Sequence, residues 1–297
     1  MKLYVETFID GSMDELWEKT QTPDLHQRWD LRFTEIRYLP RPDDSLPQQF
    51  LYKTRIGFGM AIAGTGETVG TRLNHHQRTS ALKFWSDDPK SLIKAGSGYW
   101  KYEQAENGVR FVTGYDYDTR FGGVGRGFDR LIFRPLLGWA TAWSFDRLRL
   151  WIEKGIDPST SLRSSLIHAL ARLSLALIWL YQGLIPKLLF LHEDELAMMV
   201  AAGVPVEQTM LAVRVFGLAE IGFALLLLAM WHRRWLLLVN IPLMLALLGV
   251  GLTSPAYLVA AFNPVTLNLA VIILSVIGYL SSADLPSANH CIRKEPS

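Results

Sequence analysis

Glu220 is the residue in this chain with the most chemistry to explain. It sits about ten residues from either end of an apolar run, residues 210–231. A carboxylate there costs several kcal/mol in hydrocarbon unless it is paired, neutralised or wetted. Arg214 lies six positions earlier in the same run. At 3.6 residues per turn the two side chains point about 120° apart, so each needs a partner on another helix. Lys187, Tyr181, Gln182, Asn240 and Asn268 are the polar groups that neighbouring apolar runs supply. Such a set can hold helices together by hydrogen bonds, or it can receive a ligand, a proton or a quinone.

Other chemistry-bearing residues are less well placed. His192, Glu193, Asp194 and Glu195 are ligand types in succession, but four adjacent residues rarely converge on one metal, and a solvated loop or helix start explains them better. His75 and His76 are expected as strand neighbours on opposite faces, so they cannot share an ion, although one could line a cavity. The glycines at 64 and 66 and at 122–127 lack the strand–loop–helix setting of a phosphate loop. They read as a bend in a meander and as a flexible link. Trp29, His75, Trp85, Trp100 and Tyr102 could line an apolar cavity, with a packed aromatic core as the alternative. No Ser-His-Asp arrangement, metal set or cofactor can be argued, and no catalytic residue is assigned.

The elements that must position these residues differ sharply between the two halves. Residues 235–283 contain no Asp, Glu, Lys or Arg, and two further apolar runs precede them, so the mean hydropathy of +0.15 averages two unlike parts. A span needs about 20 apolar residues to cross roughly 30 Å of hydrocarbon. Four are expected: residues 166–190, 210–231, 235–252 and a fourth ending near Ser281, broken at Asn263-Pro264. Arg147, Arg149, Lys154, Arg163 and Arg172 precede or open the first span. Arg233 and Arg234 lie between the second and third, and Arg293 and Lys294 follow the fourth. By the positive-inside rule both termini are expected to be cytoplasmic. The net charge of +2, without a basic run, argues against nucleic acid. Cys291, the single cysteine, excludes an intramolecular disulfide. The first residues lack the basic-then-apolar order of a cleavable signal peptide.

The first half reads as a strand (3–9), a helix opened by the capping box Ser12 to Glu15, and a second short helix started by Pro23. Strand-like runs follow to Tyr117, the last two joined by Asn107-Gly108. A long helix, 128–153, with Pro135 as a kink or restart, closes the half. This order, with Tyr4-Val5-Glu6-Thr7-Phe8-Ile9, Ser12 to Trp17 and Asp24-Leu25-His26-Gln27-Arg28-Trp29, resembles the SRPBCC (START-like, polyketide cyclase-like) superfamily. The resemblance implies an α+β helix-grip fold, an antiparallel sheet around a long C-terminal helix, and a cavity for a hydrophobic lipid- or quinone-like small molecule. It carries no universal catalytic set. The run from Ile178 to Lys187, with its Trp-x-Tyr-x-Gly-x-x-Pro-Lys pattern, and then Arg214, Gly217, Glu220 and Gly222, resembles the DoxX-like family. That implies an all-α four-helix transmembrane bundle; some relatives are linked to thiosulfate or quinone redox chemistry. The expected organisation is a ligand-binding domain at 1–155, a linker at 156–163, a membrane domain at 164–283 and a cytoplasmic tail at 284–297. Three functions stay open: an apolar-ligand binder beside the bilayer, a membrane redox or transport protein using Glu220, Arg214 and Lys187, or a structural membrane subunit without a ligand.

Overall fold

A computed structural model of the chain describes residues 2–43, 45–57, 59–251 and 263–295. They fall into two compact units, Met1–Ser161 with Asp284–Ser297, and Leu162–Ala283.

The first unit is built on one seven-stranded antiparallel sheet in the order β1-β7-β6-β5-β4-β3-β2. Its strands are β1 (Leu3–Ile9), β2 (Glu35–Tyr38), β3 (Gln49–Gly57), β4 (Met60–Leu73), β5 (Gln77–Trp85), β6 (Ile93–Ala105) and β7 (Gly108–Thr119). Two helices, α1 (Met13–Gln21) and α2 (Pro23–Trp29), separate β1 from β2. Ser12 caps α1 by accepting from the Glu15 amide at 3.1 Å, and Pro23 opens α2 at a position where its missing N–H costs nothing. The β4 strand runs unbroken through residue 70, and a register shift between Thr68 and Gly70 absorbs the irregularity there.

After β7 the chain forms α3 (Gly122–Phe128), a π-helical turn at Asp129–Phe133, and α4 (Arg134–Lys154). Pro135 sits in the first turn of α4, so the restart expected there occurs. Residues 122–127, expected to be a flexible link, are helical instead. Gly125 explains part of this: a Cβ there would lie 1.8 Å from the Arg120 carbonyl, so glycine permits a close approach rather than looseness. The α4 helix packs along β1, completing the helix-grip architecture.

The second unit contains the rest of α5 (Pro158–Gln182), a π-helical segment at Gly183–Leu189, α6 (Glu193–Ala201), α7 (Val206–Ala229), α8 (Trp235–Gly251) and α9 (Pro264–Leu280). Most of the expected linker 156–163 is therefore the first turn and a half of α5. The reversal expected at 253–255 lies outside the described residues. Asn263 does break the chain before the last helix, capping α9 by accepting from the Thr266 amide at 2.9 Å. Pro158–Leu189 and Val206–Ala229 are long and apolar enough to cross a bilayer, while α8 and α9 are shorter apolar helices.

Burial in this unit is inverted relative to a water-soluble bundle. Leu170, Leu177, Leu211, Leu218, Leu225 and Leu269 are exposed, whereas Arg172, His168, Asn240 and Ser275 are buried. An aqueous protein rarely buries such groups while presenting leucine outward; a lipid-facing protein does both. The apolar interior is a cluster of Leu175, Ala176, Trp179, Ala224, Leu227, Leu236, Leu237, Met244 and Val271.

Candidate functional site

The site with assembled ionisable chemistry lies in the second unit and is made by Pro186. Proline has no amide hydrogen and cannot satisfy the carbonyl four residues back, which is that of Gln182. The helix widens into its π-helical segment, and such segments often mark functional positions. Lys187 follows the proline, is 7% exposed, and aims its ammonium at the Gln182 carbonyl, at a long 3.5 Å. The same Nζ lies 3.0 Å from Glu195 Oε1 and 3.2 Å from Glu220 Oε2. Two glycines bring the backbones close enough for this. A Cβ on Gly183 would meet the Gly217 carbonyl at 2.4 Å, and one on Gly217 would meet the Gly183 carbonyl at 2.8 Å. The partner that Glu220 needed on another helical segment is thus Lys187. Its Oε2 lies beside the ammonium yet accepts no hydrogen bond in proper alignment.

The seven polar residues expected to form one cluster do not. Only Lys187, Glu220 and the Gln182 carbonyl meet. Arg214 is exposed; the helical offset that separated it from Glu220 leaves it off the inward face, and among the described residues no ion pair joins them. Tyr181 is 57% exposed. Asn240 is buried elsewhere, accepting from Trp179 Nε1 at 2.6 Å and donating to the Leu237 carbonyl at 3.0 Å. Asn268 is buried on α9, with no bond to the Lys187 group among the described residues. Two residues of the buried polar interior were missed. Glu195 belongs to a run that looks solvated in sequence, but His192 caps α6, which turns Glu195 onto the same face as Met199. Arg172 is fully buried and donates to the Leu227, Met230 and Arg233 carbonyls at 2.7 to 3.0 Å, which neutralises the C-terminal end of α7.

In the first unit the residues expected to line a cavity separate. Trp29, Trp100 and Tyr102 are core. Phe111 stacks on Phe145 at 4.4 Å and on Tyr102 at 4.9 Å, and Trp29 and Trp100 close around them at 5.8 to 6.1 Å. Ring packing at those separations fills the space a ligand would use. His75 is exposed in the β4–β5 turn instead of lying on a strand, because Asn74 closes that turn by accepting from the His76 amide. Trp85 ends β5, half-buried. Beneath Trp29 lies an ionic network the sequence did not reveal. Asp30 is buried and accepts from Arg32 at 2.6 and 2.9 Å and pairs with His26 Nε2 at 3.0 Å. Desolvation holds the His26 imidazole below its usual value, although Asp30 opposes this. The Arg32 guanidinium beside Asp30 holds that carboxyl well below the usual carboxylate range. Because every member has a partner, the network reads as structural.

Among the described residues no group of three or more His, Cys, Asp and Glu side chains could hold a metal ion. Residues 176–276 match the DoxX-like family. The chain is 47% identical over 238 residues to the "Uncharacterized membrane protein YndG" of Bacillus subtilis (strain 168), covering 79% of this chain and 80% of that protein. Among solved structures it is similar to the Zhui aromatase/cyclase of a Streptomyces species, at 14% identity over 50% of this chain and 95% of that one, TM-score 0.36. It is also similar to the di-domain ARO/CYC StfQ from the steffimycin biosynthetic pathway, at 16% identity over 50% of this chain and 52% of that one, TM-score 0.35.

Proposed function

Because this chain belongs to the same family as the membrane protein YndG and carries a DoxX-like domain in its second unit, we propose that its activity resides in the Lys187–Glu195–Glu220 site, a proton- or cation-accepting group inside the bilayer. The observation that carries this reading is the charge count: one ammonium within 3.2 Å of two carboxylates. A site with one net negative charge is costly in hydrocarbon, so a further positive charge belongs there, either a proton or a cationic group of a ligand. Glu220 Oε2 has an acceptor position to offer it. The protein then serves proton-linked membrane chemistry, redox or transport, with the helix-grip unit as its soluble partner domain. The family's location fits an inner membrane crossed four times with both termini cytoplasmic. The cation distribution supports that topology, as does the tail after α9, which belongs to the same compact unit as the residues before α5.

Difference infrared spectroscopy on the full chain in lipid nanodiscs tests the site. Titration of the wild type is expected to show a protonated-carboxyl band that Glu220→Gln or Glu195→Gln removes while the protein stays folded. A titration without that band, or one unchanged in both variants, sinks the reading.

A further inference from the structure

We propose that residues 121–139 form an interfacial helix that lies on the anionic surface of the bilayer. The inference rests on the chain being a membrane protein and is independent of the Lys187 site. Across α3, the π-helical turn and the start of α4, one stripe faces the domain: Gly125, Asp129 and Gly138 are buried. The opposite stripe is also apolar, yet none of the described residues covers it. Phe121 is 59% exposed, Val124 83%, Phe128 47%, Leu131 78%, Leu136 58% and Trp139 46%. The intervals of three, four, three, five and three residues keep these side chains on one side, with the π-helical turn absorbing the long step. Scattered exposed leucines need no explanation, but a continuous stripe about 28 Å long, at 1.5 Å per residue, marks an interface.

Charge selects the occupant. Arg126 and Arg130 are exposed beside the stripe. The one acid in the segment, Asp129, is turned inward and held by Tyr117 at 2.6 Å and Arg134 at 2.9 Å. The exposed charge is therefore positive only, which is the composition of a helix lying at an anionic headgroup layer with its apolar face in the acyl boundary and indole at the rim. The bilayer is also the partner always at hand, since the same chain carries its own apolar anchors, Pro158–Leu189 and Val206–Ala229, and tethering raises the effective concentration of the surface.

The test uses the full chain in nanodiscs of phosphatidylcholine alone or mixed with phosphatidylglycerol. Nitroxide labels go on Val124→Cys and Leu131→Cys in a Cys291→Ser background, with Leu73→Cys, 64% exposed on the sheet, as reference. Labels at 124 and 131 are expected to collide several-fold more with lipid-dissolved oxygen than with a water-soluble nickel chelate, while 73 shows the reverse. Arg126→Glu with Arg130→Glu is expected to weaken the effect only in discs containing phosphatidylglycerol. Water accessibility at 124 and 131 equal to that at 73 overturns the proposal. So does exclusion of both reagents, which would mean a protein partner or a second copy covers the stripe.

Discussion

Lys187 is one cation facing two carboxylates, and its removal leaves both without compensation. Lys187→Met is expected to cost about 3 to 5 kcal/mol, the range for breaking a buried pair from one side. Glu195→Gln removes one of two competing acids and is expected to cost less. Thermal unfolding of the purified variants in detergent ranks them, and equal melting temperatures for Lys187→Met and wild type would show that the three groups are not coupled. His26 makes a separate residue-scale prediction in the first unit. Its folded value lies below its unfolded one because burial opposes the charged ring. The unfolded chain therefore binds the extra proton first, and stability falls as pH drops through about 6.5, the ordinary histidine value. Asp30 titrates lower, since Arg32 holds it ionised, so within the first unit the loss between neutrality and about pH 5 belongs to His26. His26→Gln is expected to flatten the stability profile in that window, and a slope unchanged by the substitution would contradict the assignment.

At the scale of elements, the π-helical segment at Gly183–Leu189 crosses α7 with almost no separation. Gly217→Val must push the backbones apart, because even a Cβ would lie 2.8 Å from a carbonyl that cannot rotate away. The expected outcome is a destabilised second unit with the Lys187–Glu220 distance lengthened, seen as lower melting temperature and loss of the titrating carboxyl; a variant as stable as wild type would mean the crossing is slack. Elements with local signals were legible in the sequence. The capping of α1 by Ser12, the start of α2 at Pro23 and the break at Asn263 all occur where side-chain chemistry dictates, since each satisfies or removes a backbone donor on the spot. What the sequence hid depends on distant partners. Four glycines among residues 122–127 argue locally against helix, yet close contact with the Arg120 carbonyl demands glycine at position 125 within that helix. Glu195 looks solvated until the turn of α6 fixes its direction. Arg214 and Glu220 look alike in sequence, and only the face of α7 that meets Gly183 separates them. Trp29, Trp100 and Tyr102 could serve a core or a cavity equally well, and that choice is made by Phe111 and Phe145, far along the chain.

At the scale of the whole molecule, the tail after α9 carries a prediction about the parity of the membrane crossings. Asp146 in the middle of α4 is fully buried, and besides Arg149 at 2.7 Å its partners come from the tail: the Ser287 amide at 2.7 Å and His290 Nδ1 at 2.8 Å. Ile292 then exchanges two backbone hydrogen bonds with Glu6 on the outer edge of β1, at 2.9 Å each, and so covers an edge that would otherwise invite pairing with another chain. Between them Cys291 donates to the Ala142 carbonyl, and burial pushes its thiol up to about 12. A buried carboxylate does not find such partners across a bilayer, so the residues before α5 and those after α9 are expected on one side, with an even number of crossings between them. Reporter fusions at the two termini in intact cells are expected to respond from the same compartment; opposite responses would rule out the even count. Cys291 gives an independent reading, because thiol reagents that pass the membrane are expected to label it slowly in the wild type and many times faster in Asp146→Ala, which releases the tail. Equal labelling rates would mean that Asp146 is not what holds the tail against α4.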